Sequence, residues 1–154
     1  MFQPHLILHP TDFSEGSNFA FQIAVDLARQ NQAVLLVLHV VETLGPENAT
    51  YGEISSQLQP QGYDKRLEET MRRLRPAAND VSIEHLLVEG NPAQEIDRVA
   101  RDRACDLIVL GTHGRTGLKR LLMGSISEKV VRLAPCPVLT VKIPIPASAS
   151  RPAG

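Results

Sequence analysis

Apolar runs of strand length alternate along this chain with segments in which apolar residues recur at helical spacing. His5–His9 is the first run, and the apolar residues from Phe19 to Ala28 then follow the period of a helix, with Ser14 as its N-cap. Ala33–Val41 is apolar at every position except His39, which is typical of a parallel strand buried on both faces. The first third of the chain therefore predicts a strand, a helix and a second strand.

The rest of the chain continues this alternation after a polar, turn-rich connection from Glu42 to Gly62. Leu67, Met71 and Leu74 mark a second helix, which Pro76 ends. The remaining predicted elements are a strand over Val81–Val88, a helix capped by Asn91 and Pro92 that buries Ile96, Val99 and Ala100, a strand over Asp106–Leu110, a helix from Ser125 that buries Ile126, Val130 and Leu133, and a last strand over Pro137–Ile143.

Strictly alternating strands and helices predict an α/β fold, a Rossmann-like doubly wound parallel sheet of five strands in the order 3-2-1-4-5 with four main helices. We assign residues 1–143 to one domain and expect the small, proline-rich tail 144–154 to be disordered. Such a sheet has one switch point, where ligands bind outside the carboxyl ends of the strands. The residues that follow the strands are therefore the first candidates for function.

Composition narrows the class of protein. The chain has 154 residues and a formal net charge of −1, which argues against a nucleic-acid binder or a polybasic membrane anchor. The longest apolar run, Ala33–Val41, is far shorter than the roughly 20 residues of a spanning helix, and the first residues do not form a secretion signal. We expect a cytoplasmic protein in which Cys105 and Cys136 are reduced core thiols rather than a redox pair.

A glycine-rich segment follows the fourth predicted strand. Gly111–Gly117 leads by way of further residues to Gly124 and Ser125, where a helix begins. Exposed backbone N–H groups, a helix N-terminus and the charge of Arg115 together form a plausible anion cradle. The alternative is a glycine-rich turn with a serine N-cap, which needs no ligand. The segment matches neither the Walker A pattern nor the dinucleotide fingerprint.

Pro10, Thr11 and Asp12 follow the first strand. Asp12 can accept hydrogen bonds from ribose hydroxyls or help to hold a divalent cation through water. The alternative role for Asp12 is to cap the first helix, as aspartate often does. The sequence leaves both roles open.

Five histidines raise the question of a metal site: His5, His9, His39, His85 and His113. His9 and His39 end neighbouring strands, but zinc needs three or four convergent ligands, and neither a cysteine partner nor a helical histidine pair accompanies them. We therefore disfavour a histidine metal site. For His113, in the glycine segment, a polar contact near an anion is the better interpretation.

The glycine segment resembles a known family. Gly111, Gly114, Gly124 and Ser125 match the pattern G-x2-G-x9-G-[ST] of the universal stress proteins in full. Three further segments resemble the first, second and last strands of that family, in the right order along the chain: Ile7–Ser17, Leu35–Glu42 and Ala134–Lys142.

The resemblance implies an ATP-binding member, because members without the glycines do not bind ATP. It implies that Pro10, Thr11 and Asp12 line the adenosine, and that Val40 contacts the adenine through its backbone. It implies ATP, ADP or AMP as ligand, with Mg²⁺ or Mn²⁺ held mainly by the phosphates near Asp12. The expected nucleotide-binding residues are Pro10, Thr11, Asp12, Val40, Leu110, Gly111, His113, Gly114, Arg115, Gly124, Ser125, Ile126 and Ser127.

The resemblance also implies a homodimer formed by the last strand, and an uncovered edge strand is a physical template for such pairing. The expected interface residues are Pro137, Val138, Leu139, Thr140, Val141 and Lys142. The implied function is a nucleotide-dependent regulatory protein of the stress response. The alternative is a slow ATPase or phosphotransferase that uses Asp12 or His113, but neither residue has an evident catalytic partner, so no catalytic residue is assigned. The sequence identifies no protein partner.

Overall fold

The computed structural model describes residues 1–43, 60–112 and 125–144, with residues 60–64 described in backbone only. Strands and helices alternate throughout these ranges, as the hydrophobic pattern predicts. The elements are β1 (Leu6–Pro10), α1 (Glu15–Asn31), β2 (Val34–Glu42), α2 (Pro60–Arg73), β3 (Ser82–Gly90), α3 (Pro92–Asp102), β4 (Leu107–Gly111), α4 (Ser125–Leu133) and β5 (Val138–Val141).

The five strands form one parallel sheet in the order β3-β2-β1-β4-β5, which confirms the predicted fold class and strand order. β1 is the central strand. Its register with β2 runs from Leu6 opposite Val34 to Pro10 opposite Leu38, whereas its register with β4 pairs only Ile7 with Leu107 and Leu8 with Ile108.

Helices cover both faces of the sheet. Ile7, Val37 and Val109 face α1 and α2 in one buried cluster, to which α1 contributes Phe21 and Ala24. The alternate strand residues face α3 and α4 in a second cluster, which contains Leu8 of β1, Leu36, Leu38 and Val40 of β2, and Ile108 and Leu110 of β4. Burial of both faces explains why the central strands β1, β2 and β4 read as largely continuous apolar runs rather than as alternating ones.

Local capping signals place the starts of α1 and α3 where the sequence predicts them. Ser14 is the N-cap of α1 and accepts a hydrogen bond from the backbone N–H of Ser17 at 3.2 Å. Asn91 caps α3 in the same way through the N–H of Gln94, and Pro92 occupies the first turn. At its other end α1 stops at Gln32, which adopts the left-handed conformation with φ of 55°.

The predicted burial of α4 is wrong for two of three residues. Val130 is buried, but Ile126 and Leu133 are 39% and 46% exposed. α4 has only nine residues and lies against α3 and the edge strand β5, so its middle turn reaches the core while its first and last turns do not.

Several element boundaries also differ from the prediction. α2 begins at Pro60, inside the segment expected to be a connection, since a proline is readily accommodated in the first turn of a helix. β1 and β4 end one residue later than predicted, at Pro10 and Gly111, and β5 is limited to Val138–Val141. The expected disordered tail lies, beyond residue 144, outside the described residues.

The two cysteines are both free thiols. Cys105 is buried and Cys136 partly buried, and burial raises the pKa of the Cys105 thiol to about 11. A protonated, buried thiol is a poor nucleophile, which agrees with the structural role expected of Cys105. In the described part of the chain, no helix has the length and apolar character that crossing a membrane requires.

Candidate functional site

The switch point of the sheet lies between β1 and β4. β1 ends at Pro10 and β4 ends at Gly111, and the helices that follow them, α1 and α4, cover opposite faces of the sheet. The two chain segments diverge from neighbouring strands, so a crevice is expected at this edge. We call this side of the sheet, where the carboxyl ends of the strands lie, the carboxyl edge. Both sequence segments singled out above begin there.

The loop after β1 is fixed by its own side chains. Asp12 Oδ1 accepts hydrogen bonds from Ser17 Oγ at 2.7 Å and from the N–H of Ser14 at 3.0 Å. The N–H of Phe13 donates to Thr11 Oγ1 at 3.0 Å, and Phe13 has a positive φ of 61°. Asp12 therefore does stabilise the start of α1, which is one of the two roles that the sequence leaves open. Its negative charge also lies at the positive end of the α1 dipole.

Two buried histidines hold the backbone at this edge. Nδ1 of His39 lies 2.7 Å from the carbonyl oxygen of Thr11, and Nδ1 of His9 lies 2.8 Å from that of Val109. A carbonyl oxygen only accepts, so each Nδ1 is the donor. The ring of Phe13 contacts that of His39 at a centroid distance of 4.6 Å. The role of these histidines is therefore structural support of the edge.

His9 is completely buried, and burial lowers its pKa from 6.5 to about 4, with smaller opposing effects from the bond to Val109 and the charge of Asp12. The imidazole is therefore neutral at pH 7. With its single proton on Nδ1, Nε2 is an acceptor, and it has no hydrogen-bond partner in the structure as described.

Gly111 is required by packing. A β-carbon on Gly111 would lie 2.8 Å from the carbonyl oxygen of Gly16 in the first turn of α1. The carbonyl of Gly111 accepts a hydrogen bond from Ser127 Oγ at 3.1 Å, which attaches the first turn of α4 to the end of β4. Next in the chain, Thr112 is buried and donates its N–H to Val141 in β5 at 3.1 Å.

The expected nucleotide-binding residues fall into three groups in the structure. At the carboxyl edge, Pro10 ends β1 and is followed by Thr11 and Asp12, Gly111 ends β4, and α4 begins with Ser125, Ile126 and Ser127, of which the first two are exposed. Val40 and Leu110 lie near the ends of β2 and β4, where their side chains are buried in the core. His113, Gly114, Arg115 and Gly124 lie outside the described residues.

Ser127 has a partner that the sequence does not reveal. Because it donates its hydroxyl proton to Gly111, it must break that bond before it can donate to a phosphate oxygen. Ser125 has no such constraint among the contacts of the described residues. Ser125 is therefore the better candidate for an anion contact.

Sequence reasoning does not predict the structural roles of four residues that shape this edge: His9, Ser17, His39 and Thr112. The available signal is that His9 and His39 are polar residues within apolar strands, that Thr112 directly follows β4, and that Ser17 lies in the first turn of α1. Their partners are 5 to 100 residues away in sequence, so the spacing of residues along the chain does not reveal them. Within the described ranges, no three His, Cys, Asp or Glu side chains converge into a group that could hold a metal ion.

Comparison with known proteins agrees with this architecture. The model of the universal stress protein family matches residues 5–142. A universal stress protein of Methanocaldococcus jannaschii, MJ0531, is 37% identical over 144 residues, which cover 90% of this chain and 82% of the relative.

Two solved structures superimpose on nearly the whole domain. The M. jannaschii protein MJ0577 is 29% identical, with a TM-score of 0.77 over 95% of this chain and 99% of the other. A universal stress protein in complex with cAMP is 25% identical, with a TM-score of 0.64 over 90% of this chain and 97% of the other.

The fold and the residues at its carboxyl edge define a doubly wound α/β domain of the type that places its ligand at the switch point. The family match covers nearly the whole domain, and the sequence relative is similar over most of its own length. The chain belongs to the universal stress protein family.

Proposed function

We propose that this protein binds an adenine nucleotide at the carboxyl edge, with ATP and Mg²⁺ or Mn²⁺ as the preferred form, and acts as a nucleotide-dependent regulatory protein. The observation that carries the proposal is the convergence of the Pro10–Asp12 loop, the end of β4 at Gly111 and the first turn of α4 at one switch point. The cAMP bound by a structural relative supports an adenine nucleotide as the class of ligand.

The geometry fits a nucleotide in two respects. The first turn of α4 directs backbone N–H groups and the positive end of a helix dipole toward the carboxyl edge, which suits phosphate oxygens. The Asp12 carboxylate is held in a fixed orientation by Ser14 and Ser17, which suits recognition of ribose hydroxyls. We assign the ribose contact to Asp12 and the phosphate contacts to Gly124, which lies outside the described residues, and to Ser125.

We favour binding over catalysis. Of the two candidate bases, His113 lies outside the described residues, and Oδ1 of Asp12 already accepts hydrogen bonds from Ser14 and Ser17. That oxygen could take a proton from a nucleophile only by giving up the bonds that hold the start of α1. Hydrolysis, if it occurs, is expected to be slow.

The homodimer is part of the proposal. β5 is an edge strand, and four large apolar side chains on it and on the neighbouring α4 are 39–46% exposed: Ile126, Val131, Leu133 and Leu139. An open strand edge beside exposed apolar surface favours pairing of β5 with its copy across a two-fold axis. We place this dimer in the cytoplasm, where Cys105 and Cys136 remain reduced.

The experiment is a thermal-melt titration with ATP, ADP, AMP and cAMP, each with and without Mg²⁺. A ligand at 100 times its Kd stabilises the native state by about 2.7 kcal/mol, which gives a measurable rise in Tm. A larger rise with Mg-ATP than with AMP is expected. If none of the four nucleotides changes the Tm of nucleotide-free protein, the proposal is wrong.

Asp12→Asn is the variant that tests the ribose contact. Asp12→Ala is less suitable, because it also removes the oxygen that holds Ser14 and Ser17 at the start of α1. Asparagine keeps one acceptor oxygen, so the fold is expected to survive while loss of the charged acceptor weakens ATP binding about tenfold. The matched control is Asp102→Asn on the exposed surface of α3, which is expected to leave affinity unchanged. Wild-type affinity in Asp12→Asn would refute the assignment.

A further inference from the structure

Pro10 occupies an unusual place. It ends β1, the central strand, which has a neighbour on each side. Proline cannot donate a hydrogen bond to a sheet and is normally confined to edge strands. Its position in β1 therefore leaves one backbone acceptor without its usual donor.

The register identifies that acceptor. The backbone of His5 and of Thr11 bonds to β2, since Val34 donates to His5 and Thr11 donates to Leu38. Because successive residues of a strand point their backbone groups to opposite sides, Pro10 faces β4 instead.

The pairing of Leu8 with Ile108, continued along the strands, places Pro10 opposite Leu110. In the bonds between β1 and β2, an N–H donates to the residue before its partner, as Thr11 does to Leu38. An N–H at position 10 would therefore donate to the carbonyl of Val109, and proline has none.

The His9 side chain supplies a donor to that same carbonyl. Its Nδ1 lies 2.8 Å from the Val109 oxygen, and the ring is fully buried beside Phe21, with a centroid distance of 5.8 Å. Burial also leaves Nε2 without a partner among the described residues, which is an energetic cost. The bond from Nδ1 to Val109 is the interaction that offsets this cost.

We propose that His9 is a positioning residue for the nucleotide site, because its hydrogen bond to Val109 supplies the link between β1 and β4 that Pro10 cannot make. This inference rests on the proposed function. Asp12 follows His9 by three positions and Gly111 follows Val109 by two, so the link lies directly behind both halves of the site. His39 holds the carbonyl of Thr11 in a similar way, so buried imidazoles fix both the loop and the strand behind it.

The test is a double-mutant cycle with His9→Leu and Pro10→Ala. Leucine has a similar volume to histidine but no donor, whereas alanine at position 10 restores the backbone N–H toward Val109. His9→Leu is expected to weaken ATP binding about tenfold in the Pro10 background and less than about threefold when combined with Pro10→Ala. Equal losses in the two backgrounds would overturn the proposal. His9→Asn, whose amide nitrogen can donate from near the Nδ1 position, is expected to bind within about threefold of wild type.

A second measurement does not depend on nucleotide binding. Amide hydrogen exchange of nucleotide-free protein is expected to speed up about tenfold in residues 11–17 of His9→Leu. Adding Pro10→Ala is expected to reverse this, with α3 (residues 92–102) unchanged throughout as the internal control. Unchanged exchange in residues 11–17 of His9→Leu contradicts the proposal.

If His9→Leu unfolds, amide exchange becomes faster in α3 as well. The proposal is then tested with His9→Asn instead. Loss of binding and faster exchange in that variant, despite its donor, overturn the inference. Nitrogen-15 NMR of the wild-type histidines gives the direct signature, since the proposal requires the proton of neutral His9 on Nδ1. If the wild type binds no nucleotide but the exchange cycle shows the expected coupling, the proposed function fails while the link between β1 and β4 stands.

Discussion

The Cα of Gly111, at the end of β4, lies against the backbone of Gly16 in the first turn of α1. A β-carbon added to Gly111 would lie 2.8 Å from the carbonyl oxygen of Gly16 and 3.2 Å from the nitrogen of Ser17. Both neighbours are backbone atoms in a helix, so neither can rotate away. Gly111 is therefore the point at which α1 and β4 fix each other's position.

Gly111→Ala is expected to destabilise the nucleotide-free protein by about 1–3 kcal/mol, because α1 must shift to relieve the overlap. Urea unfolding in the absence of nucleotide measures this loss. If the role of Gly111 were only to admit a ligand, the free protein would keep its wild-type midpoint. An unchanged midpoint would therefore contradict the packing role.

Thr140→Pro is expected to disrupt the proposed dimer and leave the monomer folded. Pro137 and Val141 bond to β4 through their carbonyls, which accept from Ile108 and Thr112, so the backbone of Thr140 faces the open edge. Proline at that position removes an outward N–H without removing a bond within the sheet. Sedimentation velocity measures the result, with Thr140→Val as the control that keeps the N–H. A dimer of wild-type stability in Thr140→Pro excludes pairing through β5.

Asp106 is expected to contribute stability that acid removes. Its Oδ2 accepts hydrogen bonds from the N–H groups of His5 and Leu6 at 2.8 and 2.9 Å, and these bonds lower the pKa of its carboxyl below the usual 3.8. A carboxyl whose pKa is lower in the folded state stabilises that state above pH 4, and the effect is lost as pH falls through the folded pKa.

Asp106→Asn is therefore expected to cost about 1 kcal/mol at pH 7, a value reduced for partial exposure, and much less near pH 2. Urea unfolding at the two pH values tests this, with Asp102→Asn as the exposed control. An equal cost at both pH values would show that the charge of Asp106 has no part in the effect.

His9 is expected to make the native state sensitive to mild acid. Its pKa is about 4 in the folded protein, compared with the ordinary value of 6.5. Between these two pH values the imidazole is protonated in the unfolded chain and neutral in the native state. The contribution of neutral His9 to the free energy of unfolding is fully present above pH 6.5. It falls by about 3 kcal/mol in total as the pH is lowered from 6.5 to about 4.

The difference in unfolding free energy between wild type and His9→Leu, measured from pH 8 to pH 4, isolates this contribution. The wild type is expected to lose stability relative to the variant across that range. The control is His5→Gln, since the side chain of His5 is 82% exposed. Parallel curves for wild type and His9→Leu would mean that His9 is not neutral and buried.

Local signals carry most of the fold prediction. Ser14 and Asn91 cap helices by accepting hydrogen bonds from residues three positions further along the chain. The buried strands are recognisable as apolar runs. Each of these elements can therefore be predicted from its own segment of sequence. The exposure of Ile126 and Leu133 is not local, because it depends on how far α4 extends past the sheet edge.

In the candidate site, too, some features can be predicted from local sequence and others depend on the folded sheet. The sequence identifies Asp12 and Gly111 as unusual, since each follows a strand. It does not reveal that Gly111 contacts Gly16, or that His9 reaches Val109 from 100 positions away, because these contacts exist only once the sheet has formed. The sequence disfavours a metal site on the histidines but does not reveal that Nδ1 of His9 and of His39 donates to a carbonyl oxygen.

The amino ends and the carboxyl ends of the strands are connected by different kinds of interaction. At the amino ends of the strands, charged side chains make the connections: Arg29 with Asp80, Arg103 with Glu84, and Asp106 with the backbone of His5 and Leu6. At the carboxyl edge the described links include neutral donors on carbonyls, from His9, His39 and Ser127. For protein engineering this separation is useful, since charge changes at the amino ends offer a way to adjust the stability of the domain without altering the residues of the carboxyl edge.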